Sequence, residues 1–505
     1  MGVWGHGRCA HKLLDDLPWN RLRGELAHAP PGDQGLGKLH GLPSGAKPLT
    51  LSLVLHTGVT MGDIFKAYDI RGKFGTELTE DIAYRVGRAI VALLSVDEVV
   101  IGRDMRISSP QMFEALARGV TEQGANVIDI GLVGTDVLYF AVHQLEKGAG
   151  VMITASHNPP EDNGMKIVRE KAIPIGIETG LRDIKALVEK NDFPEPAQKG
   201  TITERDVLDD FVVWVRSFVD VKAIRPMKVV MDASNGMAGK IAPLVFKGLP
   251  LEIISLNFEL DGTFPVHDAN PMVEDNRRQI MDEVMVQGAD LGIAWDGDTD
   301  RCFFIDNTGK FVPGDFITGL LAQRVLQDNP GDVVYYDLRA SWYVRDSIRR
   351  ARGVPKMSRV GHAFIKASMR EDNAVFAGEI SGHYYFRGDD VYVDNGWIPA
   401  LMMVELVSRR GGRLSQILSN AHTYHISGEI NSTVKDKEAV LKKLESVYGG
   451  EGNVSHLDGL KIELDDWWFN VRPSNTESLL RLNLEAKDPH TMVAKRDEVL
   501  RLIRG

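Results

Sequence analysis

The chain has 505 residues, too many for a single hydrophobic core, so three or four domains are expected. Its composition, 43% hydrophobic and 26% charged with a net charge of −11, lacks the basic face that a nucleic-acid or anionic-membrane partner requires; an anionic small substrate stays open, because local Arg and Lys clusters decide that. Two cysteines, Cys9 and Cys302, rule out a disulfide framework and a CxxC metal pair, and the longest apolar run, Leu49 to Leu55, falls far short of the roughly 20 residues of a membrane helix. A reducing, cytoplasmic, non-membrane setting is expected.

In residues 1 to 60, 15 are Gly or Pro and no helical or strand period persists, so this segment is read as disordered or as a mis-translated extension. It lacks the basic start, apolar stretch and cleavage site of a signal peptide. Met61 directly precedes the first motif and is the expected natural start.

From Glu98 the pattern becomes regular. Glu98 to Ile101 reads as a strand; Ser109 as N-cap with Pro110 in the first turn opens a helix to Gln123; Gly124 stops it, and Val127 to Ile130 is a second strand. A helix over Asp136 to Leu145 leads into the buried strand Gly150 to Ile153, which ends at Ser156-His-Asn-Pro159. The same grammar recurs twice. Strands at Lys228 to Met231, Leu251 to Leu256 and Leu291 to Trp295 flank a helix from Asn276 to Gln287, and the last runs into three aspartates. Strands at Val333 to Tyr336 and Ala374 to Ala377, with a helix from Ser341 to Arg350, lead to Gly378-Glu-Ile-Ser-Gly-His383. Ligands of open α/β sheets bind outside the carboxyl ends of strands, so three such loops around one cleft are expected. After about Tyr424 the pattern turns α+β, with a helix over Lys435 to Tyr448, strands near Leu460 to Leu464, Trp467 to Val471 and Leu479 to Leu484, and a closing helix. The expected architecture is three similar α/β domains (61–205, 206–308, 309–424) and a smaller α+β domain (425–505).

Asp296-Gly-Asp298-Thr-Asp300-Arg301 sets three carboxylates at alternate positions of a loop, where they repel one another unless a divalent cation with oxygen preference joins them. The bland reading is a solvated acidic turn. A calcium EF-hand is excluded, because Arg301 stands where Gly is required and Asn307 where Glu is required. Ser156 lacks the GxSxG elbow of hydrolases, but its hydroxyl can carry a phosphoryl group. His157 either moves a proton or stabilises the turn. Three aspartates and a phosphoserine total about −5; a divalent metal leaves about −3, and Arg301 with Lys166 brings the site near −1. Glu379 and Ser381 suit neighbouring sugar hydroxyls, or belong to an ordinary β-turn. Arg472-Pro-Ser474-Asn475-Thr476 offers a guanidinium, hydroxyls, an amide and backbone N–H groups for a phosphate, unless Arg472 is a surface ion-pair partner. Gly102-Arg103-Asp104 reads as structural; Arg339 could face the cleft; His362 heads a helix and reads as structural.

In this order, these loops resemble the α-D-phosphohexomutase superfamily, and most closely its phosphomannomutase/phosphoglucomutase branch. The motifs that carry the resemblance are Ile64-Phe-Lys-Ala-Tyr-Asp-Ile-Arg71-Gly, Thr154-Ala-Ser156-His-Asn-Pro, Asp296-Gly-Asp-Thr-Asp-Arg301, Gly378-Glu-Ile-Ser-Gly-His383 and Arg472-Pro-Ser-Asn-Thr476, spread from about Met61 to the C-terminus. The resemblance implies four domains around one cleft and a phosphorylated Ser156. It implies Mg2+ held by Asp296, Asp298, Asp300 and the phosphoserine. Glu379, Ser381 and His383 would take the sugar, and Arg472, Ser474, Asn475 and Thr476 the non-reacting phosphate. By position Arg71, Lys166, Arg339 and His362 correspond to other cleft residues, with Arg301 in support. It further implies interconversion of hexose 1- and 6-phosphates through a hexose 1,6-bisphosphate, which also serves as activator, with small sugar phosphates as partners and a monomer or weak homo-oligomer. Thr299 stands where many members carry Gly. Ile380 suits the mannose/glucose branch, whereas Gln there would suggest glucosamine phosphate. A glucosamine-phosphate mutase, a hydrolase using Asp296 as nucleophile and a silent sugar-phosphate sensor are the alternatives.

Overall fold

The computed structural model describes residues 64–420, 424–473 and 479–505. The expectations for residues 1 to 60, for Met61, and for Ser474, Asn475 and Thr476 lie outside the described residues. Each of three α/β sheets has a parallel centre and an antiparallel flank, and the loops between the two carry the motifs. In the first, Ile202–Glu204, Asn126–Leu132, Glu98–Arg103 and Ala149–Ile153 run parallel, and Asp162–Arg169 returns antiparallel beside Ala149–Ile153. Ile153 pairs with Met165, so Ser156 lies in the connection between these two strands.

The second sheet centres on Leu251–Leu256, Met227–Asp232 and Leu291–Trp295. Cys302–Asp306 then pairs antiparallel with Leu291–Trp295, matching Trp295 to Cys302. Asp296 to Arg301 are therefore the tip of a β-hairpin, pinned at both ends. The third sheet repeats this with Val354–Ser358, Val333–Asp337 and Phe376–Gly378, then the antiparallel Tyr384–Arg387; Gly378 pairs with Tyr384, which places Glu379 to His383 at the hairpin tip. The fourth domain is a six-stranded sheet ordered His425–Ile426, Leu479–Ala486, Trp467–Pro473, Leu460–Glu463, Asn453–Ser455, with Ile430–Thr433 also on Leu479–Ala486. Helices Lys437–Tyr448 and Pro489–Arg504 accompany it. This is the expected three α/β plus one α+β architecture.

Local signals act largely as anticipated. Asp436 and Asp488 cap the two helices of the fourth domain. The expected cap at Ser109 is displaced by one residue: the helix is Ser109–Glu122, Ser108 precedes it, and Ser109 donates instead to Asp104 Oδ1 at 2.7 Å. A buried carboxylate competes for the hydroxyl and wins it from the helix end. Gly124 ends this helix with φ +97°.

One apolar core runs through the first three sheets, including Met152, Phe140, Phe211, Met231, Trp295, Phe316, Tyr343 and Trp397. Each such side chain contributes roughly 1.5–3 kcal/mol when fully buried. Trp295, immediately before the aspartates, stacks on Trp397 at 4.9 Å and donates to Gly396 O at 3.0 Å, so the second hairpin is fixed to the third domain. A Cβ on Gly396 would lie 2.4 Å from Thr299 O, and only glycine permits that approach. A separate core, with Phe469, Leu482 and Val499, holds the fourth domain. No helix of the described residues is long and apolar enough to cross a membrane.

Candidate active site

Strand Ala149–Ile153 is buried throughout and delivers Thr154, Ala155 and Ser156 to the carboxylate loop. Ser156 has φ +51°, a strained left-handed conformation held by its surroundings: its N–H donates to Thr154 Oγ1 at 2.8 Å. Arg106, fully buried, reinforces the turn. Its guanidinium donates to the carbonyls of Ser156 (2.9 Å), Asn158 (2.6 Å), Pro159 (2.6 Å) and Asp162 (2.9 Å). Asp104, 3.4 Å away, is its counter-charge, so the structural reading of Gly102 to Asp104 fits.

Ser156 Oγ donates to Asp296 Oδ2 at 2.8 Å, accepts from Arg301 at 3.0 Å and lies 3.1 Å from His157 Nδ1. Arg301 also bonds Asp296 through Nε at 2.8 Å and reaches His157 Nδ1. Burial, then the Arg301 and Arg71 charges, hold His157 well below the ordinary imidazole range, so it is neutral at pH 7.

The three aspartates are buried, and one oxygen of each lies within 4.8 Å of the others. Lys166, on the return strand Asp162–Arg169, places Nζ 2.7 Å from Asp298 and 2.5 Å from Asp300. Burial pushes the Asp296 carboxyl up to about 7 against the pull of Arg301. Burial would raise Asp300 too, but Lys166, His383 and Arg301 outweigh it and hold that carboxyl well below the usual range. Burial opposes the Lys166 charge, yet Asp298 and Asp300 hold the ammonium above its ordinary value. Asp298 Oδ1 and Asp300 Oδ1 are buried with no hydrogen-bond partner among the described residues. Three convergent carboxylates, with Asp298 Oδ1 and Asp300 Oδ1 outside any hydrogen bond, fit an oxygen-preferring divalent cation.

The third hairpin joins this cluster edge to edge. Cys302 N donates to Gly382 O at 3.0 Å, and His383 lies 3.5 Å from Asp300 Oδ1, 3.5 Å from Glu379 Oε2 and 3.2 Å from Ser381 Oγ. Glu379 accepts from Gly361 N at 3.0 Å and from Tyr385 at 2.5 Å. His362 sits edge-on to Tyr68 at 5.3 Å and, pushed down to about 3 by burial and then by Lys366, is neutral. Arg71 bonds Asn158 of the serine loop at 2.8 Å.

Arg339 is paired with Asp337 through two bonds of 3.0 and 2.6 Å. Glu429 then gathers the remaining arginines: Arg472 at 3.2 Å, Arg481 at 3.3 Å and Arg339 at 3.9 Å. Arg472 is thus in a basic cluster between the third and fourth domains. The structure brings together Ser156, His157, Lys166, Asp296, Asp298, Asp300, Arg301 and His383 in one network, with Glu379 and Ser381 attached through His383. Arg339 and Arg472 meet at Glu429, Arg71 is tied to the serine loop through Asn158, and His362 packs on Tyr68. Sequence reasoning missed Arg106, Thr135, Asp136, Tyr385 and Glu429. Arg106 stands two residues from the noted Asp104, the one local hint.

Three hairpin-bearing α/β domains and an α+β domain, with a serine hydroxyl set against buried carboxylates and cations, define a phosphosugar-mutase class of enzyme. Family models of phosphoglucomutase/phosphomannomutase match in sequence: α/β/α domain I over residues 62–195, domain II over 209–309, domain III over 313–424 and the C-terminal domain over 429–502. A phosphomannomutase of Escherichia coli is 42% identical over 451 residues, covering 87% of this chain and 99% of that relative. The phosphohexose mutases of Xanthomonas campestris pv. campestris are 43% identical over 446 residues, with 87% and 99% covered. A solved phosphoglucomutase/phosphomannomutase family protein of Burkholderia thailandensis superposes with a TM-score of 0.79 at 32% identity, covering 87% of this chain and 96% of that one. The chain belongs to the phosphoglucomutase/phosphomannomutase family, whose members need a metal ion.

Proposed function

We propose that the enzyme interconverts the 1- and 6-phosphates of mannose or glucose through a phosphoserine at Ser156 and a hexose 1,6-bisphosphate, with Mg2+ as the metal. The observation that carries this reading is the position of Ser156 Oγ, within 3.1 Å of Asp296, Arg301 and His157 beside the carboxylate cluster. The name of the E. coli relative supports mannose phosphate as a substrate, and that of the Xanthomonas relatives supports hexose phosphates as the class.

The Ser156 phosphoryl group passes to the free hydroxyl of the sugar monophosphate: the seryl O–P bond breaks as the sugar O–P bond forms, the sugar hydroxyl losing its proton and the seryl oxygen gaining one. After the bisphosphate has reversed its orientation, its other phosphoryl group returns to Ser156, so no net phosphate is consumed. Asp296, Asp298, Asp300 and the seryl phosphate would hold Mg2+, which when bound supplies Lewis-acid stabilisation of charge on the transferring group. Lys166 and Arg301, both kept charged, stabilise the phosphoryl oxygens. His157, neutral and 3.1 Å from Ser156 Oγ, would exchange a proton with the seryl oxygen. Glu379, Ser381 and His383 grip sugar hydroxyls. Arg472 and Arg339, with Ser474, Asn475 and Thr476 that follow Arg472 in sequence, take the distal phosphate in either orientation, and His362 and Arg71 contact the incoming sugar phosphate.

A coupled assay with Mg2+ and a trace of glucose 1,6-bisphosphate, offering mannose 1-phosphate, glucose 1-phosphate and glucosamine 1-phosphate, tests this. Turnover of the first two and its loss in Ser156→Ala is expected. Turnover of glucosamine phosphate alone would overturn the substrate assignment, and turnover unaffected by the substitution would overturn the mechanism.

A further inference from the structure

The carboxylate loop belongs to the second domain, yet its conformation is held by the first. Helix Thr135–Gln144 begins against it: Thr135 N donates to Asp298 O at 2.9 Å, and Thr135 Oγ1 donates to Asp298 Oδ2 at 2.6 Å. Lys166 shares that oxygen, so Asp298 Oδ2 is fully engaged and Oδ1 is the oxygen left unpartnered. One residue on, Thr299 Oγ1 donates to Asp136 Oδ1 at 3.1 Å. Thr299 has φ +63°, a left-handed conformation that is costly for a β-branched side chain and persists only when its surroundings hold it.

The approach is as close as a backbone allows. A Cβ on Gly134 would lie 2.1 Å from Thr299 Oγ1 and 2.9 Å from Asp298 O. Thr135, Asp136, Asp298 and Thr299 are all wholly buried, so water does not compete for these bonds. Hydrogen bonds to a ligating carboxylate fix which oxygen faces the metal, and removing them commonly lowers metal affinity about 10–100-fold.

We infer that Thr135, and Thr299 through Asp136, are positioning residues that clamp the metal loop across the boundary between the first two domains, so that cation affinity depends on the seating of one domain against the other. The inference rests on the metal reading of the three aspartates given above. Thr135 orients Asp298, and Thr299 and Asp136 hold the turn between Asp298 and Asp300.

Direct binding of Mn2+ to the full-length, chelator-stripped protein, followed by electron paramagnetic resonance, tests the clamp without recourse to turnover. Thr135→Val keeps the shape but removes the donor, and is expected to weaken Mn2+ binding about 10-fold or more; Thr135→Ser, which restores the donor, should return most of that affinity. The melting temperature of metal-free Thr135→Val should stay near that of wild type. Unchanged affinity in Thr135→Val, failure of Thr135→Ser to restore it, or an equal fall in metal-free stability would each overturn the clamp. If Thr135→Val does not fold, Thr299→Val decides: weakened binding supports the clamp and unchanged binding overturns it. A wild type that binds no Mn2+ would overturn the metal site itself, whereas normal binding in wild type and variants alike removes only the clamp.

Discussion

Lys166 shows how a buried site is balanced one side chain at a time. Its ammonium is the direct partner of Asp298 and Asp300, and removing one member of a buried ion group leaves the others uncompensated. Lys166→Met is therefore expected to destabilise the metal-free enzyme by about 3–5 kcal/mol, with added Mg2+ recovering part of the loss; thermal melts in chelator and in Mg2+ check both. Arg472 makes a second case. A lysine there cannot offer the guanidinium fork, so Arg472→Lys should raise KM for the sugar phosphate about 10-fold, and unchanged steady-state kinetics would contradict its role. The groups the sequence revealed, Ser156 and the three aspartates, sit close together in short polar loops after buried strands. Those it hid act at long range. Thr135 meets Asp298 from 163 positions away and Arg106 meets Ser156 from 50, and nothing local marks either as a partner.

The elements divide in the same way. Leu291–Trp295 was readable because it is an unbroken apolar run, and Leu251–Leu256, interrupted by Glu252 and Ser255, also falls where expected. The antiparallel returns were not. Asp162–Arg169 carries Asn163 and Lys166 on a buried strand because each has an internal polar partner, and that pattern matches neither alternation nor a hydrophobic run. Another buried polar group lies where the fourth sheet meets the third domain. Glu485, on strand Leu479–Ala486, accepts from Trp342 N at 2.8 Å, the start of helix Trp342–Arg350, and from Trp468 Nε1 at 2.7 Å. Burial pushes its carboxyl up to about 7. A raised carboxyl stabilises fully below its unfolded pKa of about 4.5 and loses that contribution as pH rises through about 7. Glu485→Gln keeps an acceptor without an ionisable proton. Relative to this variant, wild type should lose up to roughly 3 kcal/mol between pH 5 and 8. Urea midpoints of both proteins across that range check it, and a pH-independent difference would contradict it.

Across the molecule, the cores set what unfolds together. One core joins the first three sheets, with the Trp295–Trp397 stack at its centre, while the fourth domain has its own. Calorimetry should show the first three domains melting as one transition and the fourth as another, since a multidomain chain need not be two-state. Trp397→Ala should destabilise the first by about 3–5 kcal/mol and leave the second unmoved. Separation of these cores also suits the proposed mechanism, in which the fourth domain would shift while the bisphosphate turns over. The four-domain division was readable from the change of pattern near Tyr424, but the continuity of the core through three domains was not, because burial on both faces of a helix such as Trp397–Arg410 is decided by neighbours distant in sequence. On the proposed mechanism one serine, Ser156, receives and returns the phosphoryl group. Incubation with hexose 1,6-bisphosphate carrying radiolabelled phosphoryl groups, followed by peptide mapping and a chase with unlabelled sugar monophosphate, addresses that serine itself. Label on Ser156 that chases into the sugar, and none on Ser156→Ala, is the expected result; label on Asp296, release as free phosphate, or unimpaired turnover in Ser156→Ala would contradict it.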